Sequence, residues 1–267
     1  MVNNSPLPGM KRSLTGRSAQ VYFAHYGAAI SDRVLCDYLE MMPPAIRSSI
    51  ERYKRWQDRQ ATLFGKLLLL KALQLQCKDA GLRKFRSLKL SQFGKPFING
   101  GPEFNISHSE DIVVVALAHK AAIGIDIEKI RPIDKIDFSL ELPEIISLYE
   151  NYDADVASHL FFDCWTKKEA VLKAFGKGLF VPLKDVVLTE GHACINNTTW
   201  FVQKMSIEKG YCCHVASQKP LEHVRIEPSV ADRLPHTDHE QKSVKLLAVN
   251  SLQAVLPLFT LVPIARS

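Results

Sequence analysis

The hexapeptide Ile123-Gly124-Ile125-Asp126-Ile127-Glu128 constrains this chain more than any other stretch, because its isoleucines alternate strictly with other residues. A period of two is that of a strand, so the isoleucines face a core while Gly124, Asp126 and Glu128 share the opposite face. At about 3.3 Å per residue the two acidic Cα atoms lie about 6.6 Å apart. Their oxygens are then close enough to serve one hard cation or its water shell, and magnesium is the best match. The same pattern also suits a half-exposed strand with solvated acids, in which Asp126 would add little to stability. Either way the isoleucines need a covering layer, and the composition supplies one. The 267 residues are 46% hydrophobic and 23% charged, which excludes a disordered or collagen-like chain.

Turn signals divide the rest. Residues 20–26 read as an opening strand, and Met41-Met42-Pro43-Pro44 breaks the chain before a helix predicted from Ala45 to Leu75. Gly65 interrupts that helix at a cost of about 1 kcal/mol relative to alanine, which implies the close passage of a neighbouring backbone. Beyond Gly81, the turns at Gly94-Lys95-Pro96 and Gly100-Gly101-Pro102 separate short runs. They predict a meander with strands at 104–107, 112–118 and 123–128. Helical patterns return at 141–151 and 154–175, and strands at 185–189, 199–207 and 211–217. Residues 221–242 are polar and proline-bearing and read as a surface excursion. The tail from Leu246 is apolar but broken by Asn250, Gln253, Pro257 and Pro263. It falls short of the roughly 20 uninterrupted residues of a membrane helix and reads as core strand, so no membrane partner is expected.

Thirty-four Lys+Arg against 28 Asp+Glu give a formal net charge of +6, which favours an anionic partner without naming it. The basic residues are dispersed and no stacking motif accompanies them, so nucleic acid is not expected. Cys36, Cys77, Cys164, Cys194, Cys212 and Cys213 include no CxxC and read as reduced thiols. The first 20 residues lack the apolar core of a secretory signal. The expected location is cytoplasmic, with residues 1–18 a loose segment.

Two further constellations carry chemistry. In the 161–175 helix, Phe161, Trp165, Leu172 and Phe175 form one apolar stripe. Glu169 and Lys173 lie about 40° and 80° from Trp165, adjacent at the border of that stripe, and Lys167, near 200°, is expected in solvent. An ordinary surface pair explains Glu169 and Lys173 equally well. In Phe104-Asn105-Ile106-Ser107-His108-Ser109 a strand runs into a polar turn, where Ser107, His108 and backbone N–H groups suit a phosphate. A Ser-His nucleophile pair is disfavoured, because adjacent strand residues point to opposite faces. Lys95-Pro96 offers a point charge on a rigid loop.

Taken in order, Gly94-Lys95-Pro96, Asn105 to Ser109, Gly124 to Glu128 and Trp165 to Lys173 resemble the 4′-phosphopantetheinyl transferases, in their broad-specificity, surfactin-type branch, over about residues 50 to 188. The resemblance implies an α+β fold of two similar α/β subdomains in one chain, a pseudo-dimer with the active site between them. The subdomains are expected at 19–120 and 121–267, in a monomer. It implies transfer of the phosphopantetheine arm of coenzyme A to a serine of an acyl or peptidyl carrier protein, releasing adenosine 3′,5′-bisphosphate. Asp126, Glu128 and Glu169 would gather Mg2+, or Mn2+, and Lys173 would face the transferring phosphate. Ser107 and His108 would hold the 3′-phosphate, and Lys95 and Pro96 would flank the adenosine. Glu144 would take the serine proton. A basic position of the family falls on Ala61 here, so Arg59 or Arg55 would replace it. A catalytically silent binder of coenzyme A or carrier protein on the same fold is the alternative.

Overall fold

The computed structural model describes residues 18–132, 150–177 and 181–228. Strand β1 (Ser18–His25) is followed by helix α1 (Asp32–Glu40), capped by the Ser31 hydroxyl. Helices α2 (Pro44–Glu51) and α3 (Trp56–Cys77) come next, so the helix expected from Ala45 to Leu75 is two helices broken at residues 52–55. Proline at its first turn starts α2 without losing a hydrogen bond. Helix α1 has no counterpart among the expected elements. Its signals were the Ser31-Asp32 start and the Val34, Tyr38 and Leu39 face, all of which it buries.

After α4 (Ala80–Arg86) and the small hairpin of β2 (Lys89–Leu90) and β3 (Pro96–Phe97) come β4 (Glu103–Ser109) and β5 (Ile112–Ala118). Every residue of β5 is buried. Val113, Val115 and Leu117 pack into the cluster built on α3, while Ile112, Val114, Ala116 and Ala118 face the opposite way. Cover on both faces is why this antiparallel strand is uniformly apolar instead of alternating.

Strand β6 (Ile123–Lys129) does not continue the meander. It leaves β5 and pairs with β10 (Tyr211–Ser217) in a second sheet. That sheet also contains β7 (Val187–Thr189), β8 (His192–Ile195) and β9 (Thr198–Lys204), in the order β6-β10-β9-β8-β7. Residues 199–207 therefore hold a shorter strand than expected, and β8 is an addition.

The first sheet has the order β11-β1-β5-β4, where β11 (His223–Pro228) runs parallel to β1. The start of the expected surface excursion is thus a strand, and it joins the sheet of the N-terminal half although it lies inside the range 121–267. The N-terminal segment, the helix at 141–151 apart from its last two residues, and the C-terminal tail lie outside the described residues.

The two sheets face each other through Ala19, Val21, Val114, Ile123, Ile125, Ile127 and Val215. Helix α3 covers the far side of the first sheet. The far side of the second is covered by α5 (Ala154–Phe175), capped by Asp153 at its start and by Gly176 in a left-handed turn at its end. Each half therefore lays a 22-residue helix on a sheet, mixed in the first half and antiparallel in the second. Gly124 fixes the second contact, since a Cβ there would fall 2.0 Å from the Ala170 carbonyl oxygen and 2.4 Å from Ala174 N. Gly65 does the same on α3, but what it admits is the Ile106 side chain, 2.7 Å from where a Cβ would stand, and not a backbone.

Candidate active site

Where α5 meets β6 at Gly124, the next residue on that face is Asp126, which is 2% exposed. The acidic face is therefore covered by a helix and not solvated. Asp126 Oδ1 accepts hydrogen bonds from Ser107 Oγ at 2.8 Å and Lys173 Nζ at 2.5 Å, and Lys173 Nζ also donates to Ser107 Oγ at 2.9 Å. Asp126 Oδ2 is buried without a hydrogen-bond partner.

Strand β4 builds this junction by alternation. Asn105 Oδ1 accepts from Ile125 N, Ser107 reaches Asp126, and Ser109 Oγ donates to Glu128 Oε2 at 2.9 Å while accepting from Lys129 N. Asn105 and Ser109 thus satisfy two backbone donors on the edge of β6 that would otherwise be unpaired, while Ser107 holds the Asp126 side chain.

Burial, then the like charge of Asp126, pushes the Glu128 carboxyl up to about 7. For Lys173, burial alone would lower the ammonium. The charge and hydrogen bond of Asp126, followed by the charges of Glu169 and Glu128, outweigh it and hold the pKa above its ordinary value. Lys173 is thus the cation these three carboxylates share. Asp126, Glu128 and Glu169 do not form a group whose donor atoms all lie within 4.8 Å of one another. The hard-oxygen donor set and the unpartnered Asp126 Oδ2 nevertheless fit a divalent cation.

Opposite Ser107, His108 points to the α3 side of β4, as strand alternation requires. It borders a cleft of about 510 Å³ also lined by Arg52, Tyr53, Thr62, Lys66, Gly94 and Pro96. Ser107 is not part of that lining, and its hydroxyl belongs to the Asp126 network on the other face of β4. Although solvent reaches His108, burial, then the charges of Lys173 and Lys66, hold it below the usual histidine range.

Lys95 reaches the end of α5. Its Nζ donates to the Lys173 carbonyl at 2.7 Å, where the last turn of α5 exposes acceptors and negative dipole. Pro96 alone of that pair lines the cleft. Arg59 is half-buried on α3 and is not a lining residue, Arg55 lies 4.0 Å from Asp58, and Ala61 is buried in the core. The cleft's cations are instead Arg52 and Lys66, neither singled out by the sequence. Lys66 is 8% exposed and burial alone pulls it down to about 8. The signal was there, as a lone lysine in the run Leu63 to Leu70. Lys167, expected in solvent, is half-buried and ion-paired with Asp163. Glu144 lies outside the described residues.

Comparison with known proteins bears on the whole arrangement. The sequence model of the 4′-phosphopantetheinyl transferase superfamily matches residues 122–219, and that of the 4′-phosphopantetheinyl transferase N-terminal region matches residues 30–120. The chain is 37% identical over 141 residues to the 4′-phosphopantetheinyl transferase gsp of Aneurinibacillus migulanus, covering 50% of this chain and 56% of that one. It is 31% identical over 186 residues to a 4′-phosphopantetheinyl transferase of Bacillus subtilis, covering 65% and 81%. To the transferase Sfp of Bacillus subtilis strain 168 it is 28% identical over 200 residues, covering 68% and 85%. No described helix is long and apolar enough to cross a membrane.

Proposed function

Since this chain belongs to the 4′-phosphopantetheinyl transferase superfamily, we propose that it transfers the phosphopantetheine arm of coenzyme A to a serine of an acyl or peptidyl carrier protein at the junction of β4, β6 and α5. The observation that carries this reading is the buried Asp126–Ser107–Lys173 network, which lies across β4 from a cation-lined cleft.

A coenzyme A laid across β4 would set its 3′-phosphate against Lys66, Arg52 and His108, with Pro96 beside the adenosine. Its pyrophosphate would then meet Lys173. The carrier serine oxygen bonds to the phosphorus that carries pantetheine, and the bond to the bridging oxygen breaks, releasing adenosine 3′,5′-bisphosphate. Negative charge grows on the phosphoryl oxygens and the leaving group, and Lys173 is positioned to stabilise it. Ser107 and Asp126 hold that ammonium in place and protonated. Asp126, Glu128 and Glu169 would hold Mg2+ or Mn2+, which when bound supplies Lewis-acid stabilisation of the same charge. A carboxylate such as Glu144 would take the serine proton.

The test is incubation of the full chain with coenzyme A and a panel of apo-carrier proteins, read by mass. The expected result is gain of one phosphopantetheine on at least one carrier, lost in excess EDTA and restored by Mg2+ or Mn2+. Undiminished transfer in EDTA removes the metal. Tight coenzyme A binding with no transfer to any carrier supports the silent binder instead. Replacing coenzyme A by dephospho-coenzyme A isolates the cleft, where affinity should fall; equal affinity would remove the 3′-phosphate from it.

A further inference from the structure

Beside Asp126 on the neighbouring strand lies His214, its register partner on β10, and Cys212 is likewise paired with Glu128. With Asp163 and Thr166 of α5 they form a second polar cluster that the transferase reading leaves unused. His214 is 1% exposed, and its Nδ1 lies 2.8 Å from Thr166 Oγ1. The Thr166 hydroxyl makes its shortest contact, 2.6 Å, with the Phe162 carbonyl, to which it must donate its only hydrogen. It therefore accepts from His214 Nδ1–H, which fixes the tautomer and leaves Nε2 with a bare lone pair.

That Nε2 is buried with no hydrogen-bond partner, and what it faces, at 3.6 Å, is another acceptor, Asp163 Oδ1. Cys212 Sγ completes the group at 4.0 Å from the same oxygen. One donor atom from each of the three residues lies within 4.8 Å of the other two. A tetrahedral zinc with bonds of about 2.0–2.3 Å needs its ligands about 3.3–3.8 Å apart. The 3.6 Å between His214 Nε2 and Asp163 Oδ1 lies within that range, and the 4.0 Å between Asp163 Oδ1 and Cys212 Sγ exceeds it by about 0.2 Å.

We propose that Asp163 Oδ1, Cys212 Sγ and His214 Nε2 bind one Zn2+, at a site separate from the Asp126 carboxylates, tying α5 to β10. Thiolate and imidazole select zinc over magnesium. Burial pulls His214 down to about 4, so its imidazole is neutral and able to ligate at neutral pH. Thr166 holds the ring as outer-shell partners of metal-bound histidines do.

Two cations now neutralise Asp163. Lys167 pairs with Oδ2, and Lys204 lies 3.0 Å from Oδ1. The Lys204 side chain is 64% exposed and can yield Oδ1 to the metal at little cost, while Lys167 keeps Oδ2. On binding, the Cys212 S–H bond breaks, the sulfur–zinc bond forms, and one proton goes to solvent. Thiolate and carboxylate balance the charge of the ion and no electron is transferred.

The test uses the full chain with Co2+ as the spectroscopic stand-in, in excess Mg2+ to saturate hard-oxygen sites. One equivalent of Co2+ should give a thiolate-to-cobalt charge-transfer band that one equivalent of Zn2+ abolishes. Cys212→Ser should lose the band, and the partly exposed Asp163→Asn should weaken Zn2+ binding at least about tenfold. Absence of the band in folded wild type overturns the site, as does an undiminished band in folded Cys212→Ser. Should Cys212→Ser fail to fold, Asp163→Asn decides, and wild-type Zn2+ affinity there overturns the proposal.

Discussion

Lys66 and Asp126 show how burial changes what a charged residue does. Below pH 8 the folded protein carries Lys66 as a buried ammonium. Between about pH 8 and its ordinary value of 10.5, the folded state sheds a proton that the unfolded chain keeps, so the contribution of Lys66 to stability rises with pH through that window. Lys66→Met is therefore expected to be more stable than wild type below pH 8, with the difference closing by about pH 10.5, measured by denaturant unfolding across pH without coenzyme A. A difference that does not change with pH would mean that Lys66 is not buried as a charge. Asp126→Ala leaves the Lys173 ammonium and Ser107 hydroxyl without their acceptor, and should cost about 1–3 kcal/mol. The sequence pattern permitted a solvated strand face with little cost, and the covering of that face by α5 is what reverses the expectation. Nothing in the spacing of Asp126 discloses that cover, because it comes from residues 40 and more positions away. By contrast, the split of Ser107 and His108 to opposite faces of β4 follows from alternation alone.

At the scale of elements, both long helices seat on their sheets through a glycine, and the two seats differ in kind. At Gly124 an added Cβ meets helix backbone, which cannot give way locally. Gly124→Ala should push α5 off β6 and cost about 3 kcal/mol or more. At Gly65 it meets one methyl of Ile106, and alanine gains about 1 kcal/mol of helix propensity. Gly65→Ala should thus lie within about 1 kcal/mol of wild type. Thermal unfolding of both variants checks the contrast, and equal losses would contradict it. Period and turn signals made β4, β5, β6, α5 and β10 legible within a few residues, because each has one strong pattern bounded by glycine, proline or a cap. Pairing was not legible. The departure of β6 into a second sheet and the return of β11 to β1 depend on long-range burial, which a local pattern does not encode.

For the whole molecule, the two helix-covered sheets place β4 between two half-sites, with the Lys66 cleft on one side and the Asp126–Lys173 network on the other. The proposed function makes this network the place of phosphoryl transfer. Lys173→Gln keeps a hydrogen-bond donor for Asp126 and removes the charge, so folding is retained while stabilisation of the developing phosphoryl charge is lost. Single-turnover transfer from coenzyme A to an apo-carrier protein should fall by about 100-fold or more, with the Kd for coenzyme A changed less than about tenfold. A folded Lys173→Gln enzyme that transfers at the wild-type rate would place the chemistry elsewhere.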